Sequence, residues 1–242
     1  MLAVAKLLLA PLLLWQGRQV RRQALRLPEA AGPRSGMVGS GELRLRLLIV
    51  GDSSGAGVGA PTQDLALAGR LSAALAERLQ GRVHWQLLAQ TGHRSADALT
   101  QLSQAELEPA DVMITALGVN DVVSQVSPGR WTAQLAQLHE LAQARAGVRW
   151  TLHSAVPPMH LFPLLPQPLR WLLGAHALRM NRALAKQVVG SRDRAMQALP
   201  AHLHGSQAVG LMAEDGFHPG PAGYQAWAEA LADRITRDFK SH

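Results

Sequence analysis

Ser53, Asp215 and His218 are the residue types that nucleophilic acyl chemistry requires. Ser53 stands in Gly51-Asp52-Ser53-Ser54-Gly55, directly after an apolar run over 43–50, and Asp215 and His218 stand in Asp215-Gly216-Phe217-His218-Pro219. A serine hydroxyl is a weak nucleophile at neutral pH; it needs a base to take its proton, and the base needs an acid to orient it. An Asp-x-x-His element supplies both from one loop. Two more short blocks follow apolar runs, Thr91-Gly92-His93 and Gly118-Val119-Asn120-Asp121. A glycine permits close backbone approach and unusual dihedrals, and an asparagine amide donates hydrogen bonds without adding a titrating charge.

These residues lie far apart in the chain, so regular elements must bring them together. Short apolar runs bounded by glycine predict strands over 43–50, 82–90, 110–117, 148–155 and 207–212. Alanine- and leucine-rich stretches predict helices over 64–80, 95–104, 130–146, 169–190 and 220–238. Strand and helix alternate, which implies βαβ units and a mainly parallel sheet of five strands covered on both faces, a three-layer α/β/α sandwich. In such a sheet, functional groups collect beyond the carboxyl ends of the strands. Ser53, Gly92 and Asn120 all fall there. Residues 28–42 are rich in Gly, Pro and Ser without periodicity and read as a linker. The catalytic domain is then 43–242, and residues 1–27 form a separate apolar and basic segment.

A serine, a glycine, an asparagine and a histidine in this order, with these flanks, resemble the SGNH (GDSL-type) hydrolase family. The blocks extend from Gly51 to Pro219 and so cover most of the chain. The resemblance implies a flavodoxin-like fold and an esterase or lipase-like serine hydrolase that works through an acyl-enzyme. It implies Ser53 as nucleophile, His218 as base and Asp215 as its orienting acid. The oxyanion hole would be the backbone N–H of Ser53, the backbone N–H of Gly92 and the side-chain amide of Asn120. Family members also act on carbohydrate esters and thioesters, and some transfer acyl groups, so an acyltransferase or a carbohydrate-ester deacetylase would use the same residues. No cofactor or metal is needed for this mechanism.

Each block also has a plainer explanation. Gly-Asp-Ser after a strand can be a turn, Gly118-Val119-Asn120-Asp121 a helix entry, and Asp215-Gly216 a common turn pair. Gly51-Asp52-Ser53-Ser54-Gly55 also fits the nucleophile elbow G-x-S-x-G, but that elbow follows several strands and separates its acid from its histidine. Gly55-Ala56-Gly57-Val58-Gly59-Ala60 fits a pyrophosphate loop and would make the chain a nucleotide-binding protein. Such a loop should follow its strand directly, with an acid ending the second strand; here Gly51-Asp52-Ser53-Ser54 intervenes, and 82–90 carries no acid. His93, His202 and His204 read as solvated loop residues, since no His/carboxylate cluster at metal spacing appears.

The formal net charge of +7 over 242 residues is unevenly placed. Up to Arg46, eight Lys and Arg stand against two Asp and Glu; the remainder carries sixteen against fifteen. The basic excess thus belongs to the N-terminal segment, and no basic face for nucleic acid is expected on the domain. Residues 1–15 are apolar except for Lys6 and are followed by Arg18, Arg21, Arg22 and Arg26. The run is short for a spanning helix and Pro11 interrupts it. Apolar and basic residues side by side suit an anionic membrane surface, with the domain on the cytoplasmic side; the competing reading is an export signal. The expected partners are therefore a small-molecule ester and a membrane surface. Residues 156–166, stiffened by proline, and Trp171 would line an acyl pocket, touch lipid or simply pack beneath a loop. With no cysteine, disulfides are excluded, and the oligomeric state is not legible.

Overall fold

The computed structural model describes residues 9–23, 25–200, 203 and 210–239. Among these, six strands form one sheet in the order β1-β3-β2-β4-β5-β6. They are β1 Ser35–Val38, β2 Leu43–Gly51, β3 Arg82–Ala89, β4 Val112–Ala116, β5 Trp150–Ser154 and β6 Arg194–Gln197. Every neighbouring pair is parallel except β1 on β3. The helices are α1 Ala10–Gln23, α2 Leu67–Leu79, α3 Ser95–Gln104, α4 Val119–Val123, α5 Pro128–Ala146, α6 Leu169–Val188 and α7 Pro221–Asp238.

The central strands are apolar throughout because both of their faces are covered. Leu45, Leu47 and Ile49 of β2 point into a core shared with Leu71 and Leu75 of α2 and with Tyr224 and Leu231 of α7. The alternate residues Leu48 and Val50 point the other way, against Leu102 of α3, Trp131 and Leu135 of α5 and Leu173 of α6. This two-residue alternation sorts the helices into layers. The expected three-layer α/β/α architecture with a mainly parallel sheet is found.

The strand inventory differs from expectation at both edges. The stretch 28–42, read as a linker, carries β1, which pairs antiparallel with β3. Gly36 lies over the Trp85 indole, whose Nε1 would be 3.2 Å from a Cβ at that position. The glycine that suggested a flexible linker thus permits a close approach. In the same stretch Ala30 is buried, and Ala31 bridges to Thr62. At the other edge, β6 takes the place beside β5. Of the expected strand at 207–212, residues 207–209 lie outside the described residues, and Met212 makes only an isolated bridge to Pro219. The helix expected over 64–80 opens as a separate 3₁₀ turn, Gln63–Leu65. The Gln63 side chain is buried there and donates to the carbonyls of Ala30 and Ala56. No helix among the described residues is long and apolar enough to cross a membrane.

Candidate active site

Register alone brings three of the candidate residues to one edge. Gly51 at the end of β2 pairs with Ala89 of β3 on one side and Ala116 of β4 on the other. The chain turns one way from β2 to β3 and comes back on the other side as β4. The loops leaving these strands diverge, and a crevice opens between them. Ser53 lies two residues past Gly51, Gly92 three past Ala89, and Asn120 four past Ala116. The loop after β2 folds back so tightly that a Cβ on Gly51 would be 2.8 Å from the Gly55 Cα, so both positions require glycine. The Ala56 N–H donates to the Asp52 carbonyl (2.8 Å) and the Val58 N–H to the Ser53 carbonyl (3.0 Å), closing the turn.

Asp215 and His218 arrive from the loop before α7. That loop is closed by Ala213 N–H to the His218 carbonyl and Gly220 N–H to the Leu211 carbonyl, both 2.8 Å. One Asp215 oxygen accepts the N–H groups of Phe217 (2.9 Å) and His218 (3.0 Å). The other lies 2.6 Å from His218 Nδ1, and His218 Nε2 lies 2.8 Å from Ser53 Oγ. Burial alone would raise the Asp215 pKa, but the hydrogen bonds from the His218 ring and the two N–H groups outweigh it. The carboxyl is held below its ordinary range. A carboxylate at Nδ1 fixes the tautomer that leaves Nε2 free to accept the serine proton. The Phe217 ring packs edge-on against Phe162, centroids 5.0 Å apart. Beneath the loop, a Cβ on Gly59 would collide with the Pro219 carbonyl oxygen. The serine loop and the acid–base loop are therefore in backbone contact.

On the opposite side, Gly92 adopts φ +86° with nothing within 4 Å of its missing Cβ, so its backbone, and not space, calls for glycine. The preceding residue is clamped: Glu29 accepts from the Thr91 N–H (2.7 Å) and hydroxyl (2.8 Å). Glu29 also pairs with Arg34, which donates to the Ala89 carbonyl at 3.0 Å. Partial burial would raise the Glu29 pKa; the Thr91 bonds and the Arg34 guanidinium more than reverse this. The Asn120 amide nitrogen donates to the His93 carbonyl at 3.0 Å and, at the longer distance of 3.5 Å, to Asp52. Among the described residues, the N–H groups of Ser53 and Gly92 meet no protein acceptor.

Two buried acids stand behind these groups. Asp121 accepts from the N–H and hydroxyl of Ser95 at the start of α3; burial raises its pKa against those bonds. Asp52 accepts the Ser54 N–H at 3.0 Å. Burial pushes its pKa up to about 7; the Ser54 bond opposes this and the Asp121 charge adds to it. Glu29, Asp52, Asp121 and the His93 carbonyl are parts of the site that sequence reasoning missed. His93 itself is half-buried and holds Asn120, where a solvated loop residue was expected.

Beside the serine loop lies a cleft with about 740 Å³ of unfilled space, part of it open to solvent. Leu117, Val119, Pro157, Phe162, Phe217 and Trp227 give it an apolar wall, and Asp52, Ser54 and Ser154 supply polar atoms. The proline-stiffened stretch thus contributes Pro157 and Phe162 to the cleft, while Leu161 and Leu164 are exposed. The pyrophosphate-loop reading of Gly55–Ala60 does not fit. A Cβ on Gly57 would meet Ala66 and Ala30, and one on Gly59 would meet Pro219, so close packing within the protein accounts for both glycines. No helix begins there to supply free N–H groups. Among the described residues no three His, Asp or Glu side chains cluster to hold a metal ion; His202 and His204 lie outside those residues.

Comparison with known proteins bears on the family and the fold. The family model described as GDSL-like Lipase/Acylhydrolase family matches residues 49–226. No curated protein matches the sequence. Among solved structures, the fold is similar to a lipase from a goat rumen metagenome (TM-score 0.62, 18% identity, 78% of this chain and 97% of that one). It is also similar to the psychrotrophic esterase EstA from Pseudoalteromonas sp. (TM-score 0.57, 18% identity, 80% of this chain and 98% of that one). A third similar structure is Est24, a carbohydrate acetylesterase from Sinorhizobium meliloti (TM-score 0.58, 19% identity, 81% of this chain and all of that one).

Proposed function

The chain belongs to the GDSL-like lipase/acylhydrolase family and is a carboxylic ester hydrolase, and on that premise we propose that it cleaves acyl esters through a covalent acyl-Ser53 intermediate. Ser53 Oγ attacks the ester carbonyl carbon while His218 Nε2, 2.8 Å away, takes its proton. Asp215 holds the ring by Nδ1 and supports the imidazolium as it forms. Charge that develops on the carbonyl oxygen is met by the N–H groups of Ser53 and Gly92, and by Asn120 Nδ2 once its 3.5 Å bond to Asp52 gives way. His218 then returns the proton to the leaving alcohol. In the second half it takes one from water, which attacks the acyl-enzyme and frees the acid and Ser53.

The observation that carries this reading is the unbroken hydrogen-bond chain Asp215–His218–Ser53 at 2.6 and 2.8 Å. The cleft beside Ser54 supports an acyl group of apolar character, because its wall is aromatic and aliphatic. Ser53→Ala should lower hydrolysis of p-nitrophenyl esters by roughly 10⁴-fold or more, and a fluorophosphonate probe should label the wild type and not the variant. Labelling at Ser54, or retained turnover in the alanine variant, would remove the assignment. Across esters of increasing acyl length, kcat/KM should rise to the length that the cleft holds and then fall.

A further inference from the structure

Helix α1 presents two opposed faces. Leu13, Gln16 and Val20, at three- and four-residue spacing, turn inward: Leu13 and Val20 pack on the core cluster that includes Leu169 and Leu173, and Gln16 is buried. Gln16 joins this helix to the body. Its Nε2 donates to the Gln167 carbonyl (2.6 Å), and its Oε1 accepts the N–H of Leu169 (3.2 Å), a group at the start of α6 with no partner inside its own helix. Pro11, Trp15, Arg18 and Arg22 share the outward face, with Leu12 and Leu14 on its flanks. Trp15 is 60% exposed and Leu14 63%.

Exposed apolar side chains continue beyond α1. Trp171, whose N–H is bonded to the Gln167 side chain, is 46% exposed one helical turn from the junction with Gln16. On α6 the exposed Leu178 and Arg182 follow Trp171 at helical spacing. Before α6, Leu161 and Leu164 are exposed, and a Cβ on Gly216 of the acid–base loop would lie 3.5 Å from Leu164 Cδ1. Each helix therefore runs from exposed apolar residues in its first turns to exposed arginines in its later ones.

We infer that α1 and the first half of α6 form an interfacial surface that seats the protein on an anionic lipid bilayer beside its active-site crevice. The occupant follows from charge and side-chain type. Helix α1 contains no acidic residue, so its outward arginines call for an anionic partner. A guanidinium suits phosphate oxygens, and tryptophan favours the boundary between headgroups and acyl chains. Over about 21 Å of helix, Leu12, Leu14 and Trp15 would enter that boundary while Arg18 and Arg22 stay at phosphate level. The acid–base loop, whose Gly216 faces Leu164, would then lie close to the lipid surface. This inference does not depend on the serine mechanism.

The test uses the full chain and vesicles of phosphatidylcholine, with or without an equal amount of phosphatidylglycerol. The wild type should sediment with the anionic vesicles, less so as salt rises, with a salt-resistant remainder. The double variant Trp15→Ser, Trp171→Ser should bind roughly ten- to a hundredfold more weakly. Its turnover of a soluble short-chain ester should match the wild type, which shows that it is folded. Arg18→Gln with Arg22→Gln should remove the preference for anionic vesicles. Unchanged binding by the tryptophan variant, or no binding by the wild type, would overturn the inference. So would a wild type that binds no vesicles but dimerises through these tryptophans, or membrane-bound protein whose sequence starts at or beyond Gly17.

Discussion

The Glu29 clamp allows a sharp test, because it acts on the proposed oxyanion loop through Thr91, the residue before Gly92. Glu29→Ala removes the one oxygen that accepts both the Thr91 N–H (2.7 Å) and hydroxyl (2.8 Å), and frees Arg34 from its partner on the other oxygen. A hydrogen bond to a charged group contributes about 1.5–3 kcal/mol. Thr91 is exposed, so water replaces part of what is lost, and a net cost of about 1–2 kcal/mol is the reasonable figure. If that cost falls on the conformation that aims the Gly92 N–H, the competent fraction drops by about 5–30-fold. The ceiling is the roughly 10²–10³-fold loss of a whole oxyanion donor. Stopped-assay kinetics on a p-nitrophenyl ester should show kcat reduced with KM nearly unchanged. Glu29→Gln keeps one acceptor oxygen for Thr91 and should recover most of the rate. Because the Glu29 pKa is held below its ordinary value, the clamp is complete at neutral pH and is lost as pH falls through that lowered value. A Glu29→Ala enzyme with wild-type kcat, or one changed only in KM, would refute the coupling between Glu29 and Gly92.

His218→Ala should lower kcat by several orders of magnitude and Asn120→Ala by roughly 10²–10³. Equal small effects on the same ester assay would mean that both residues merely bind. Asp52 keeps its proton in the folded state up to about pH 7, whereas the unfolded chain releases it near the ordinary aspartate value. Native protein therefore holds the extra proton between those values, and stability should decline as pH rises through that window. Asp52→Asn keeps an acceptor for the Ser54 N–H and should flatten the decline, read as urea midpoints at about pH 5 and pH 8; an unaltered slope would show that another group is responsible.

What the sequence disclosed divides along physical lines. The residues proposed for the chemistry stood out because the proposed reaction dictates their type: it asks for a hydroxyl, an imidazole, a carboxylate and an amide, here Ser53, His218, Asp215 and Asn120. The helix expected over 95–104 has those bounds, since Ser95 meets Asp121 at its start and its apolar spacing is regular. Elements whose stability comes from a partner left no such signal. Strand β1 depends on Gly36 lying over Trp85, and β6, Arg194-Ala195-Met196-Gln197, has no apolar alternation to betray an edge strand. Likewise an acid at position 29 is one exposed-looking glutamate until folding sets it against Thr91, 62 residues away. A backbone carbonyl such as that of His93 imposes no residue type at all.

The sequence separation of 165 between Ser53 and His218 has a consequence for the order in which the enzyme becomes competent. During synthesis, the proposed nucleophile Ser53 and the proposed oxyanion donors Gly92 and Asn120 emerge on the first half of the chain, while the proposed base His218 arrives with the last loop. The loop closes on its own bonds but is carried to the serine loop with α7, whose Tyr224 hydroxyl donates to the Val58 carbonyl at 2.7 Å and whose Asp233 accepts from Arg78 of α2 at 2.8 Å. Contacts spanning so much sequence form late and slowly. A nascent or partly unfolded chain with α7 detached would keep most of its sheet yet hydrolyse nothing. Turnover is thus a gauge of C-terminal docking, and in rising denaturant it should vanish before the far-ultraviolet signal of the sheet.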